Sequence, residues 1–305
     1  MATRTALALA MLGIVGCGSH GSGGTGQISS SIHLSSPSFT LMPGDEVFKC
    51  WYTSIDSSVD LASVRMHSTM TPGSHHFIVY TTKTPLRPDG TFEDCGDNQV
   101  LSLSNTPVWL YSTQDPEHEL DMPDGTALPL AAKQPLYFNM HYINATPAPL
   151  TVQVTLDVDS TTSTSYQRVG AFITYNTQIS IPPGGTQTVS GDCDVPMGVK
   201  FFTMSTHSHK RTVEAMAEKN VAGVNQMLVD TKDWEHATIT NWASPDFLEF
   251  GPNDQLHYQC SYQNDTANTI KEGESAEKNE MCMAVGYYFP ASGDTLCLNS
   301  SVFSF

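Results

Sequence analysis

Met70-Thr-Pro-Gly-Ser-His-His-Phe-Ile-Val-Tyr80 sets a Pro-Gly turn signal ahead of Phe-Ile-Val-Tyr, a run of strand formers. Two adjacent histidines, His75 and His76, stand at the junction. Successive side chains on a strand point to opposite faces, so one strand start carrying both imidazoles poses a geometric question. If they share an ion, it must lie off the strand's edge, and the turn is where that is easiest.

The same style recurs outward from this stretch. "VFKCWYTSI" (47–55), "PLYFNMHYI" (135–143), "LTVQVTLDV" (150–158), "VKFFTMSTHSH" (199–209), "QLHYQCSY" (255–262) and "MCMAVGYYF" (281–289) are rich in β-branched and aromatic residues. "RPDG" (87–90), "MPDG" (122–125) and "PPGG" (182–185) punctuate them. Few segments hold a helical period, so the chain reads as all-β. The polar stretch from Asp157 to Ser165 suggests a boundary, giving one domain over 29–164 and a second over 165–305. Each is a comfortable size for a β-sandwich.

The chain has 305 residues, with 14 Lys+Arg against 31 Asp+Glu and a net charge of −17. That balance argues against nucleic-acid or anionic-lipid partners. At the N-terminus, Arg4 precedes an apolar run from Ala6 to Val15, too short to span a bilayer but suited to a signal peptide. Ile14-Val15-Gly16-Cys17 looks like a bacterial lipobox. It predicts a signal over 1–17, a lipidated Cys17 and a flexible Gly/Ser tether over 18–28. An ordinary signal peptide with an incidental cysteine is the plainer alternative. Six cysteines remain beyond Cys17, an even count that implies disulfides in an exported protein while leaving the pairing open.

Metal-ligand chemistry is suggested at four places. His207 and His209 are spaced i, i+2, so on a strand both project from one face and can share an ion. Taken alone, such a pair is as often solvated surface. His75 and His76 form the second place, and His141, a residue that singly would more often be a satisfied core histidine, the third. The fourth is Met281 beside Cys282. A thioether is soft and favours Cu(I), although most of the 13 methionines should be core fillers.

His-His, then His-Tyr, Ile-Pro-Pro-Gly (181–184), His-x-His and Glu-Met-Cys, in that order, resemble the ascorbate-dependent type II copper monooxygenases. The resemblance runs from about Cys50 to Cys297. It implies two antiparallel jelly-roll sandwiches in tandem and two copper ions facing each other across a solvent-filled cleft. His75, His76 and His141 would hold an electron-transfer copper, the adjacent pair through the ring nitrogens nearer the backbone. His207, His209 and Met281 would hold the copper that binds O2 and does the catalysis. Ascorbate or a similar one-electron donor would serve as reductant. The resemblance also implies the pairs Cys50–Cys95, Cys193–Cys297 and Cys260–Cys282. His20 lies in the tether and His33 near the start of the first domain, while His67, His118, His236 and His257 match no ligand of the family and are expected to be structural or surface residues.

The function expected is therefore hydroxylation of a C–H bond in a small organic molecule, by an exported bacterial lipoprotein of the cell envelope, in the outer membrane or facing the periplasm. Ser205, Met283 and Val285 stand where the peptide-amidating relatives carry groups that grip a carboxylate, so the substrate is expected to be neutral and partly apolar. Lys210 or Arg211 could still supply such a clamp. A copper-handling periplasmic lipoprotein and an inactive β-sandwich module are the rival readings. Met-rich clusters would favour the first and a lost ligand the second; the sequence has neither.

Overall fold

The computed structural model describes residues 28–95 and 107–305. The apolar leader, Cys17 and residues 18–27 of the tether lie outside the described residues. Every regular element among the described residues is a strand.

The strands fall into two sets that do not pair with each other. In the first set, a five-stranded sheet runs Phe92–Asp94, Glu46–Ser54, Pro135–Ile143, Ser74–Thr81, Val108–Thr113. It packs on a six-stranded sheet that includes Ser30–Ser35, Val154–Thr161 and Leu61–Met70. In the second set, a seven-stranded sheet contains Lys200–Ser208, Cys282–Phe289 and Gly170–Tyr175. It packs on a four-stranded sheet built from Thr186–Asp194, Gln255–Gln263, Thr212–Val221 and Val224–Thr231.

The change from one set to the other falls at Val169, later than the polar stretch suggested. Val154–Thr161 is strand through half of that stretch, and Gln167–Arg168 still pairs in parallel with Thr126–Ala127. Hydrogen bonding along the edge of the sheet outweighs polar composition there.

The seven-stranded sheet explains why "MCMAVGYYF" shows no polar alternation. Cys282, Ala284 and Tyr288 enter the core of their own set, while Met283, Tyr287 and Phe289 pack with residues of the other set. A sheet buried on both faces needs apolar residues at both parities. One continuous core therefore joins Phe77, Tyr111 and Phe138 of the first set to Ile173, Phe202 and Tyr287 of the second. Three disulfides are formed, Cys50–Cys95, Cys193–Cys297 and Cys260–Cys282, each within one set. No helix among the described residues is long and apolar enough to cross a membrane.

Candidate metal centre

The turn at Pro72-Gly73 is real: Gly73 has φ +95 and its carbonyl accepts the Ile143 N–H at 2.8 Å. From it, His76 pairs with His141 across the ladder, but Tyr142 pairs with Ser74. His75 is thus the extra residue of a β-bulge. A bulge breaks the two-residue alternation and re-aims a side chain, which is how neighbours on one strand come to face one point. The Nδ1 atoms of His75 and His76 approach to 3.0 Å, and His75, His76 and His141 each offer a ligand atom within 4.8 Å of the others. The nitrogens nearer the backbone are the ones that converge.

His141 is fully buried and stacked on Phe48, with ring centroids 4.0 Å apart. Its Nε2–H donates to Glu46 Oε1 at 3.0 Å, which leaves Nδ1 as a buried atom with no hydrogen-bond partner. A carboxylate behind a histidine fixes the tautomer and strengthens the other nitrogen as a donor.

His207 lies at the end of the strand Lys200–Ser208 and His209 one residue past it. That strand pairs His207 with Met283 and Ser208 with Cys282, so His209 and Met281 stand together just past the end of the ladder. His207 Nδ1–H donates to Gln114 Oε1 at 2.7 Å and His209 Nδ1–H to the Asn279 carbonyl at 3.3 Å. Both imidazoles therefore present Nε2, and in His209 that atom is buried without a partner. Tyr262 donates to the Met281 carbonyl at 2.9 Å and holds the backbone in place.

Burial, reinforced by His141 and His207, pushes His75 down to about 3. Burial, then His141, pushes His207 down to about 4. His76 and His209 are lowered well below the ordinary range for the same first cause. All four are neutral at pH 7, the form that coordinates metal. Buried imidazole nitrogens without partners are costly, and a bound ion removes that cost. Two nitrogen sets, one of which shares a cavity wall with Met281, fit copper.

The two clusters are closer than a solvent-filled cleft between them requires. The rings of His76 and His207 are 5.0 Å apart, centroid to centroid. Each set of strands also reaches into the other's cluster. Trp234 stacks on His75 at 5.0 Å, Ser275 Oγ donates to Glu46 Oε2 at 2.9 Å, and Gln114 bridges His207 to the Trp234 carbonyl through Nε2 at 3.0 Å. The shared apolar core draws the halves together.

Sequence reasoning missed Gln114, Trp234, Glu46 and Ser275, which act across strands far apart in the chain. Glu280 was within reach in Glu-Met-Cys. Fully buried, it accepts the backbone N–H of His209 at 3.1 Å and of Arg211 at 2.6 Å, and burial pushes it up to about 7.

A cavity of about 470 Å³ is bordered by His76, His207, Met281, Met283, Tyr80 and Trp109. Ser205 and Val285 open instead onto a smaller neighbouring cavity of about 90 Å³, beside His76, His207 and Gln114. The residues expected to line one pocket are thus divided between two. Neither lining contains a lysine or arginine among the described residues. Lys210 is paired with Glu277, and Arg211 donates to the Glu277 carbonyl at 2.7 Å.

Residues 169–303 match the copper type II ascorbate-dependent monooxygenase C-terminal domain. The matched segment spans the second set of strands and carries His207, His209 and Met281, and it supports a likeness to the copper type II ascorbate-dependent monooxygenases. Among solved structures, the major capsid protein P2 from bacteriophage PM2 is similar over 85% of this chain and 97% of its own, at 8% identity and a TM-score of 0.37. The STIV MCP is similar over 85% and 96%, at 8% identity and a TM-score of 0.39. These superpositions are too loose to bear on function.

Proposed function

We propose that the chain is a copper-dependent monooxygenase hydroxylating a C–H bond of a small, neutral, partly apolar molecule with O2 and a one-electron donor such as ascorbate. The observation that carries this reading is the convergence of five imidazoles, two of which, His141 and His209, turn a buried unpartnered nitrogen toward the cluster, with Met281 just past the same strand ladder. His75, His76 and His141 would hold one copper, and His207, His209 and Met281 a second. When bound, copper supplies one-electron chemistry and an open position for O2.

The chain's own residues do the rest. Glu46 and Gln114 hold the tautomers of His141 and His207. Tyr80, Trp109 and Met283 provide an apolar wall against which a C–H bond can lie, away from bulk water. Without a cation in the lining, a buried carboxylate would go unpaired, which disfavours anionic substrates.

The two strand sets support a reading as tandem jelly-roll domains. The three disulfides fit an oxidising, extracytoplasmic compartment. With the lipobox, they favour an exported bacterial lipoprotein in the cell envelope, anchored through Cys17. The test is copper-dependent O2 uptake with ascorbate across a panel of small organic compounds. Uptake coupled to product and lost in Met281→Ala is expected. Tight copper binding with no uptake on any compound would point to copper handling instead.

A further inference from the structure

The outer face of the six-stranded sheet carries ordered cross-strand rows. Pairing places His33, Asp157, His67 and Glu119 side by side on four successive strands. The next row is Ser31, Asp159, Arg65 and Asp121. In that row Asp159 is satisfied by a guanidinium, with Arg65 Nε 2.8 Å away. In the first row the same place beside the central carboxylate is taken by imidazoles on both sides. His33 Nδ1 lies 2.7 Å from Asp157 Oδ1, and His67 Nδ1 lies 4.0 Å from Asp157 Oδ2. The other His67 nitrogen is 3.2 Å from Glu117 Oε1.

A guanidinium can only donate hydrogen bonds, whereas an imidazole carries a lone pair. Neighbours across a ladder have Cβ atoms about 5 Å apart, so His33 and His67, one strand to either side of Asp157, stand about 10 Å apart at Cβ, and both imidazoles must turn over the carboxylate to close on one ion. These side chains are open to solvent, at 59%, 40% and 32% exposure for His33, Asp157 and His67. Glu117, Glu119 and Asp121 add negative charge on the same face, and Arg65 is already engaged by Asp159.

We propose that His33, Asp157 and His67 form a surface site for a divalent late first-row ion, zinc or copper(II), separate from the buried histidine clusters. A nitrogen–oxygen–nitrogen set with room for water or a glutamate suits both ions. The ion clips Ser30–Ser35, an edge strand held on one side only by Val154–Thr161, to the strand two places away.

The test uses the full chain and its His33→Ala/His67→Ala variant, each equilibrated with zinc or with copper(II) and then buffer-exchanged. Retained metal is counted, and hydrogen exchange is followed in Ser30–Ser35. The native chain should keep one more ion than the variant with at least one of the two metals, and that ion should slow exchange in the edge strand. Asp157→Asn should weaken this binding about tenfold or more, a loss of about 1.4 kcal/mol. Equal metal counts and equal exchange in the native chain and the double variant would overturn the proposal, as would an unaltered affinity in Asp157→Asn. The buried clusters are intact in every variant, so the result does not depend on oxygenase activity.

Discussion

At the scale of single residues, Gln114 makes the sharpest prediction, because one side chain holds His207 while its backbone belongs to the other strand set. Partners behind a metal-ligating histidine are typically worth about 10–100-fold in affinity. Gln114→Ala should weaken Cu(I) at the His207–His209–Met281 cluster by that order and leave the His75–His76–His141 cluster unchanged, read by competition with a Cu(I) chelator. Equal weakening at both clusters would mean a general loosening instead. Asp294 makes a second prediction. It is buried with Oδ2 unpartnered, and burial pushes it up to about 6 from 3.8. The folded chain therefore keeps a proton that the unfolded chain releases. The contribution of this group to stability is fully present below about pH 4 and is lost as pH rises through about 6, by up to about 3 kcal/mol. Glu280, also raised by burial, contributes a fall of the same sign, so Asp294→Asn should show a shallower fall than the native chain between pH 4 and 7 in denaturant unfolding, and a parallel pH profile for the two proteins would refute the assignment.

At the scale of elements, the strands were legible in the sequence and their faces only partly so. The turn at Pro72-Gly73 and the strand formers after it could be read directly, yet the bulge at His75 could not. A bulge exists only in the register with a partner strand, here Pro135–Ile143, and nothing local specifies that partner. The i, i+2 spacing of His207 and His209 was readable because it rests on alternation alone. The double burial of Cys282–Phe289 was hidden, since a continuous apolar run does not say what covers each face. Cys260–Cys282 ties this strand to Gln255–Gln263 immediately beside Met281. Removing it through Cys260→Ser/Cys282→Ser should cost about 2–4 kcal/mol. It should also weaken Cu(I) at the methionine-bearing cluster more than copper at the three-histidine cluster. A stability loss with both affinities untouched would show that the bridge does not position Met281.

At the scale of the whole molecule, the close approach of the two clusters across the expected cleft was not legible because contacts across the two strand sets have no sequence signature. Phe202, Met283 and Tyr287 look like ordinary core residues and turn out to face the other set. The closeness of the two clusters follows from that packing. Substrate preference is the property set at this scale, since both cavities lie where residues of the two sets meet. A peptide ending in a glycine carboxylate should be turned over poorly beside neutral aromatic or aliphatic compounds. Efficient hydroxylation of the peptide would mean that a cation outside these linings reaches the substrate.

The central claim is that one chain holds two unlike copper sites, and counting copper in the native protein beside His141→Ala tests it most directly. Two coppers per native chain are expected, with one retained in the variant and that one showing sulfur ligation as Cu(I). A single copper in the native chain, or loss of both from His141→Ala with the fold intact, would contradict the account.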